Sequence, residues 1–145
     1  MKIIIEETST EAEDELILRC HELNGDMIHL LQQLKTAQNG IPGISGSEIH
    51  RISLSEILYF EVMENKSFFY CPGKVYETKL KLYEFEDICK DTRFFRASKS
   101  VMLNADKIDY IKPLFGGRFE AVLTDNEKII ISRQYVAALK ALMGL

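Results

Sequence analysis

The stretch FFRASKSVMLN, Phe94 to Asn104, sets Arg96, Ser98, Lys99 and Ser100 between two strand-like apolar runs. A guanidinium, an ammonium and two hydroxyls are hydrogen-bond donors suited to phosphate oxygens and base edges. Two later segments repeat the theme, Gly116-Gly117-Arg118 and Ser132-Arg133. Other chemistry finds little support. His21, His29 and His50 are scattered, and none has the cysteine or carboxylate spacing of a zinc site. There is no G-x-S-x-G, no P-loop and no G-x-G-x-x-G. No serine stands beside a histidine in a nucleophile context. The expectation is a binding protein and not an enzyme, with no catalytic residue, no metal and no cofactor.

The elements that position these donors follow from periodicity. Lys2–Glu6 and Glu15–His21 read as strands, and Asn24 as the cap of a helix running to about residue 38. Met27, Ile28, Leu31 and Leu34 form its apolar stripe. This gives a small ββα appendage over residues 1–44, too small to be stable alone. Asn39–Ser47, with three glycines and a proline, reads as a turn-rich linker. Residues 45–145 then form a mainly β domain. Strands are expected at Ile49–Leu54, Ile57–Met63, Phe68–Cys71, Val75–Leu80, Phe94–Phe95, Val101–Leu103, Ile108–Leu114, Phe119–Leu123 and Lys128–Ile131. A short helix is expected at Leu82–Lys90, with Leu82, Phe85, Ile88 and Cys89 inward. A second, capped by Ser132, would turn Tyr135, Val136, Leu139, Leu142 and Met143 to one face.

Composition sets the outer bounds. With 145 residues and 46% apolar side chains, the chain is long enough and apolar enough for one packed domain. No run approaches the roughly 20 apolar residues of a bilayer span, so no membrane insertion is expected. MKIIIEETST lacks the apolar core and cleavage site of a secretory signal. Three widely spaced cysteines, Cys20, Cys71 and Cys89, read as small apolar side chains in a reducing, cytoplasmic compartment. The net charge of −4 weighs against a polyanionic partner, but its distribution does not. Residues 1–44 hold eight acids and three Lys/Arg, whereas residues 90–145 hold ten Lys/Arg and six acids.

A meander places the donors. If Val101–Leu103, Ile108–Leu114, Phe119–Leu123 and Lys128–Ile131 are consecutive antiparallel neighbours, three segments meet at one end of the sheet. They are Arg96–Lys99, Gly116–Arg118 and Ser132–Arg133. Asn104–Asp106 and the acidic turn Asp125–Glu127 fall at the other end. Arg133 would also lie in the first turn of the last helix, where free N–H groups favour an anion.

These residues carry a resemblance. The F-x-R-x-S-K-S-x-x-L-N core, the I-x-x-I-x-P strand, the G-R turn and I-S-R-x-Y resemble the LytTR family of DNA-binding domains, and ISLSEILYFEVMENKSFFYCPG matches its first half. The likeness runs from about Gly46 to Gly144. It implies an elongated LytTR-type β domain with short helices, laying loops from one edge into successive major grooves. It implies a bacterial transcriptional regulator that binds double-stranded DNA at pairs of short promoter repeats. Base contacts are implied for Asn65, in the turn Met63–Ser67, for Ser98 and Lys99, and for Arg133; Lys99 is open to a phosphate role as well. Phosphate contacts are expected, from their charge or hydroxyl donors, for Lys66, Arg96, Arg118 and Ser132. Glu64 would accept from a cytosine amino group or face solvent. Asn104 fits the motif but falls at the far end, so it reads as a turn-former. The short form without a receiver domain is implied, a type encoded beside a small membrane protein. Residues 1–44 would then serve dimerisation or regulation, the apolar stripe packing on a second chain or on its own sheet. The rival reading is a β-rich protein-interaction or ligand-sensing module that never touches DNA, which the acidic appendage favours.

Overall fold

The computed structural model describes residues 2–145, apart from the side chain of Gln38. Helix α1 (Gly25–Asn39) starts where the Asn24 side chain accepts a bond from the Met27 amide at 3.0 Å. It stops at Gly40, whose φ of 74° no helix continues. The strands are β1 (Ile41–Ser45), β2 (Glu48–Ile52), β3 (Tyr59–Met63), β4 (Lys66–Cys71), β5 (Lys74–Thr78), β6 (Phe94–Arg96), β7 (Val101–Asn104), β8 (Ile108–Pro113), β9 (Phe119–Leu123) and β10 (Lys128–Ile131). Helix α2 (Leu82–Ile88) precedes β6, and α3 (Val136–Leu142) closes the chain. All strand pairs are antiparallel. One sheet runs β2-β1-β5-β4-β3-β7-β6, and a second runs β10-β9-β8. The mainly β expectation holds.

The two layers follow from period-2 alternation. Tyr59, Phe95 and Leu103 face the small sheet and α3, among Ala121, Leu123, Ile131 and Leu139. Their chain neighbours Phe60, Phe94 and Met102 face α2 on the other side. There Phe85 stacks on Phe60 at 4.8 Å and meets Phe69 and Phe94 edge-on or tilted. Each such fully buried phenylalanine contributes about 2 kcal/mol. Tyr59 also ties the layers together: its hydroxyl donates to Glu127 at 2.5 Å.

Four expectations are corrected. The linker expected at Asn39–Ser47 contains strand β1, paired with β2 from Ile41↔Ile52 to Ser45↔Glu48. Gly43 signals close approach here and not a turn: a Cβ on it would stand 2.1 Å from Ile52 Cδ1 and 2.9 Å from Tyr76 Cβ. Second, residues 2–24 contain neither expected strand. Neither run finds a partner ladder, and a strand needs one; Ile3, Ile5 and Leu16 stay 83%, 88% and 71% exposed. The appendage is a segment without regular secondary structure, turning once at Ser9–Ala12, followed by α1, and not a ββα unit. Third, the meander breaks at its first step. β7 pairs with β3 and β6, while a 3-10 turn at Ala105–Lys107 carries the chain into the second layer. Fourth, Ser132 makes no side-chain cap bond, and a 3-10 turn, Arg133–Tyr135, precedes α3. Arg133 therefore lies one turn ahead of that helix, and the helix-dipole argument for an anion there is lost.

Candidate nucleic-acid interface

Although the meander breaks, its destination stands. The loop Ala97–Ser100 is closed on itself by Ala97 N donating to Val101 O at 2.9 Å. On one side Val62 N, near the end of β3, donates to Ser100 O at 2.9 Å. On the other, Ser132 N donates to Ala97 O at 2.8 Å. Backbone bonds thus set three distant segments side by side on one rim. Ser98, Lys99, Ser100, Ser132, Arg133 and Gln134 line an open depression between two of them. Ser100 belongs to the donor cluster read in the sequence, though without an assigned contact; Gln134 carries no such signal and is brought into the lining by its neighbour Arg133.

The β3–β4 turn projects past Ser100. Its central residues Glu64 and Asn65 both have positive φ, 52° and 64°, as a tight primed hairpin turn requires. Asparagine tolerates that region and glutamate does so at a cost, so this tip holds local strain. Glu64, Asn65 and Lys66 are exposed. The β8–β9 hairpin supplies the other flank. Leu114 N donates to Arg118 O at 2.8 Å, and Gly116 and Gly117 carry φ of 85° and 78°. The bare face of Gly117 lies against Arg133: a Cβ there would be 3.1 Å from its Cδ.

The cations divide into two kinds. Arg96 is engaged: Nε donates to Ser98 O at 3.2 Å, Nη2 to Lys99 O at 3.0 Å and Nη1 to Glu86 Oε2 at 3.4 Å. Its guanidinium also lies 5.7 Å from the Tyr135 ring centroid. Tyr135, read in the sequence only as a core residue, is therefore also a support for this loop. Lys66, Lys99, Arg118 and Arg133 are exposed and, among the described residues, take part in no carboxylate pair. Arg118 Nε makes one long bond, 3.4 Å, to Phe115 O. Ser98 and Ser132 are half-buried, with Ser98 Oγ accepting from Ser100 N at 3.3 Å.

The far end is built differently. Asn104 is buried; its Nδ2 donates to Ile57 O at 3.0 Å and its Oδ1 accepts from Asp106 N at 3.1 Å. Arg93 pairs with Asp106 at 2.9 Å and donates to Leu142 O at 3.0 Å. Asp125 accepts from Glu127 N at 3.0 Å. The turn-forming role read for Asn104 is the one observed. Burial, and then the bond to Glu127, push the Tyr59 hydroxyl well above the ordinary tyrosine range. Of the cysteines, Cys89 is buried and Cys71 half-buried, as small apolar side chains would be, but Cys20 is exposed. Among the described residues no His/Cys/Asp/Glu group could hold a metal, and no helix is long and apolar enough to cross a membrane.

The LytTr DNA-binding domain family matches this chain over residues 47–144. A sensory transduction protein LytT from Enterococcus faecalis is 29% identical over 115 residues, which are 76% of this chain and 48% of that protein. LytT from Bacillus subtilis is 23% identical over 86% of this chain and 52% of its own length. The chain thus spans about half the length of these LytT proteins. An uncharacterized HTH-type transcriptional regulator of Staphylococcus aureus is 22% identical over all of this chain and 99% of its own. A solved LytTr DNA-binding domain from Bacillus cereus superposes with a TM-score of 0.69 at 20% identity, covering 74% of this chain and 98% of that one.

Proposed function

The chain belongs to the LytTR family of DNA-binding domains, and from that premise we propose that it is a bacterial transcriptional regulator binding duplex DNA at repeated promoter half-sites. One observation carries the reading. Backbone bonds from Val62 to Ser100 and from Ser132 to Ala97 hold three loops on one rim, and the exposed cations of that rim have no carboxylate partner among the described residues. The residues assigned to DNA lie on turns, and not on a recognition helix as in helix-turn-helix proteins.

Arg133 reads a base, since a guanidinium meets guanine O6 and N7 with two bonds. Asn65 reads a base from the β3–β4 tip, beside Glu64 as a candidate acceptor. Lys66, Lys99 and Arg118 meet phosphates, and Ser98 and Ser132 add short donors. Arg96 shapes the loop that presents Ser98 and Lys99, because its own donors already bond their carbonyls and Glu86. Residues 45–145, together with β1, form the DNA-binding unit, and residues 1–40 serve assembly or control. Ile28 and Leu34 of α1 are 46% and 37% exposed, which supports a homodimer through this face. A cytoplasmic site of action and regulation by a nearby membrane protein accord with the family type.

Fluorescence anisotropy with duplex DNA from upstream of the protein's own gene tests the function. Specific binding above that to scrambled duplex, falling steeply with salt, is expected; equal affinity for both would refute sequence-specific regulation. Light scattering on the full chain and on an Ile28→Glu, Leu34→Glu double variant tests the dimer, and equal masses would remove it.

A further inference from the structure

Phe115 is the most exposed large apolar side chain among the described residues, at 95%. It is also firmly placed. The tip it crowns is closed by the bond from Leu114 N to Arg118 O and shaped by two glycines of positive φ. Arg118 Nε holds the Phe115 carbonyl, and the adjoining Gly117 rests on the stem of Arg133. A phenylalanine held in water on a stiff turn, in contact through its neighbours with the arginine that enters the groove, lacks its apolar partner in the free protein.

Resting on the DNA-binding reading above, we propose that Phe115 is a specificity-determining residue that packs on a thymine 5-methyl group in the major groove, close to the guanine read by Arg133. The thymine methyl is the apolar group that the major groove presents, and phenylalanine is among the side chains that contact it. Arg118, bonded to the same tip, meets the adjoining phosphate and fixes the ring's depth. Gly117 is a positioning residue: its φ of 78° suits glycine, and a Cβ there would stand 3.1 Å from Arg133 Cδ, so the stem would have to give by a few tenths of an ångström.

Sites selected from a random duplex pool by the full-length wild-type, F115A and R133A proteins test this. F115A is expected to lose preference for one thymine within a few base pairs of the guanine whose preference R133A loses. Replacing that thymine by uracil should weaken the wild type about four-fold, the effect of one buried methyl group, and leave F115A unchanged. Because the methyl is removed from the DNA, this readout is independent of how F115A folds. Unaltered preferences for F115A, or a wild type indifferent to uracil, overturns the assignment of Phe115. An R133A protein that keeps every preference instead overturns base reading by Arg133, the premise beneath it.

Discussion

The two ends of the β sandwich solve opposite problems with the same residue types. At the rim, main-chain bonds carry the architecture, and Lys66, Lys99, Arg118 and Arg133 are left in solvent. At the far end, side chains carry it: Asn104, Arg93, Asp106 and Asp125 each satisfy a backbone group or one another. A donor spent on the fold is unavailable to a ligand, so the location of unspent donors separates a binding edge from a structural one. Arg96 lies on the border, on the rim by position and of the structural kind by its bonds.

Substitutions should split along that line. The largest effect belongs to Asn104→Ala, which leaves the buried Ile57 carbonyl unmet and should lower unfolding free energy by about 3 kcal/mol in urea titration. Its DNA affinity under native conditions should stay unchanged. Arg133→Ala should do the reverse, with an unaltered urea midpoint and a loss of about 2 kcal/mol on the specific site against scrambled duplex. Equal losses on both duplexes would make it a phosphate clamp. Tyr59→Phe removes the bond between layers and should cost about 1 kcal/mol of stability, an effect absent if the two sheets dock by apolar contact alone. Lys99→Ala should reduce the slope of log affinity against log salt by about 0.9 for every sequence tested; an unmoved slope takes it out of the footprint. The smallest effect is chemical. Burial first, and Glu56 second, push the Cys71 thiol up to about 11. A raised thiol pKa leaves less thiolate at any given pH, so iodoacetamide at pH 8 should label Cys20 well before Cys71, as read by mass spectrometry.

Much of this was legible in the sequence. The strands from Glu48 onward announce themselves as β-branched and aromatic runs bounded by turn residues, and α2 and α3 through apolar spacing, because each helix buries one defined face. The assembly of Ser98–Lys99 with Ser132–Arg133 was also foreseen, although the assumed pairing of β7 with β8 is absent. A reversal of direction at Asn104–Lys107 yields the same ends whether the next strand joins the first sheet or covers it. Two features were hidden for a physical reason. Gly43 looks like a turn residue when its neighbours in space, Ile52 and Tyr76, are unknown. Whether Arg96 meets a phosphate or a carboxylate beside the sheet stays open in the sequence until Glu86, on a separate helix, comes within 3.4 Å of it. At the amino terminus the β-branched run of Lys2–Glu6 suggests a strand, but composition alone supplies no neighbour to pair with.

The bonds from Ser132 to Ala97 and from Val62 to Ser100 join segments far apart along the chain. Closing loops of that length costs entropy that the surrounding fold must offset. The rim and the second layer therefore stand or fall together: a partly melted chain that has lost the β8–β10 layer no longer holds Ser132 against Ala97, and the three loops part.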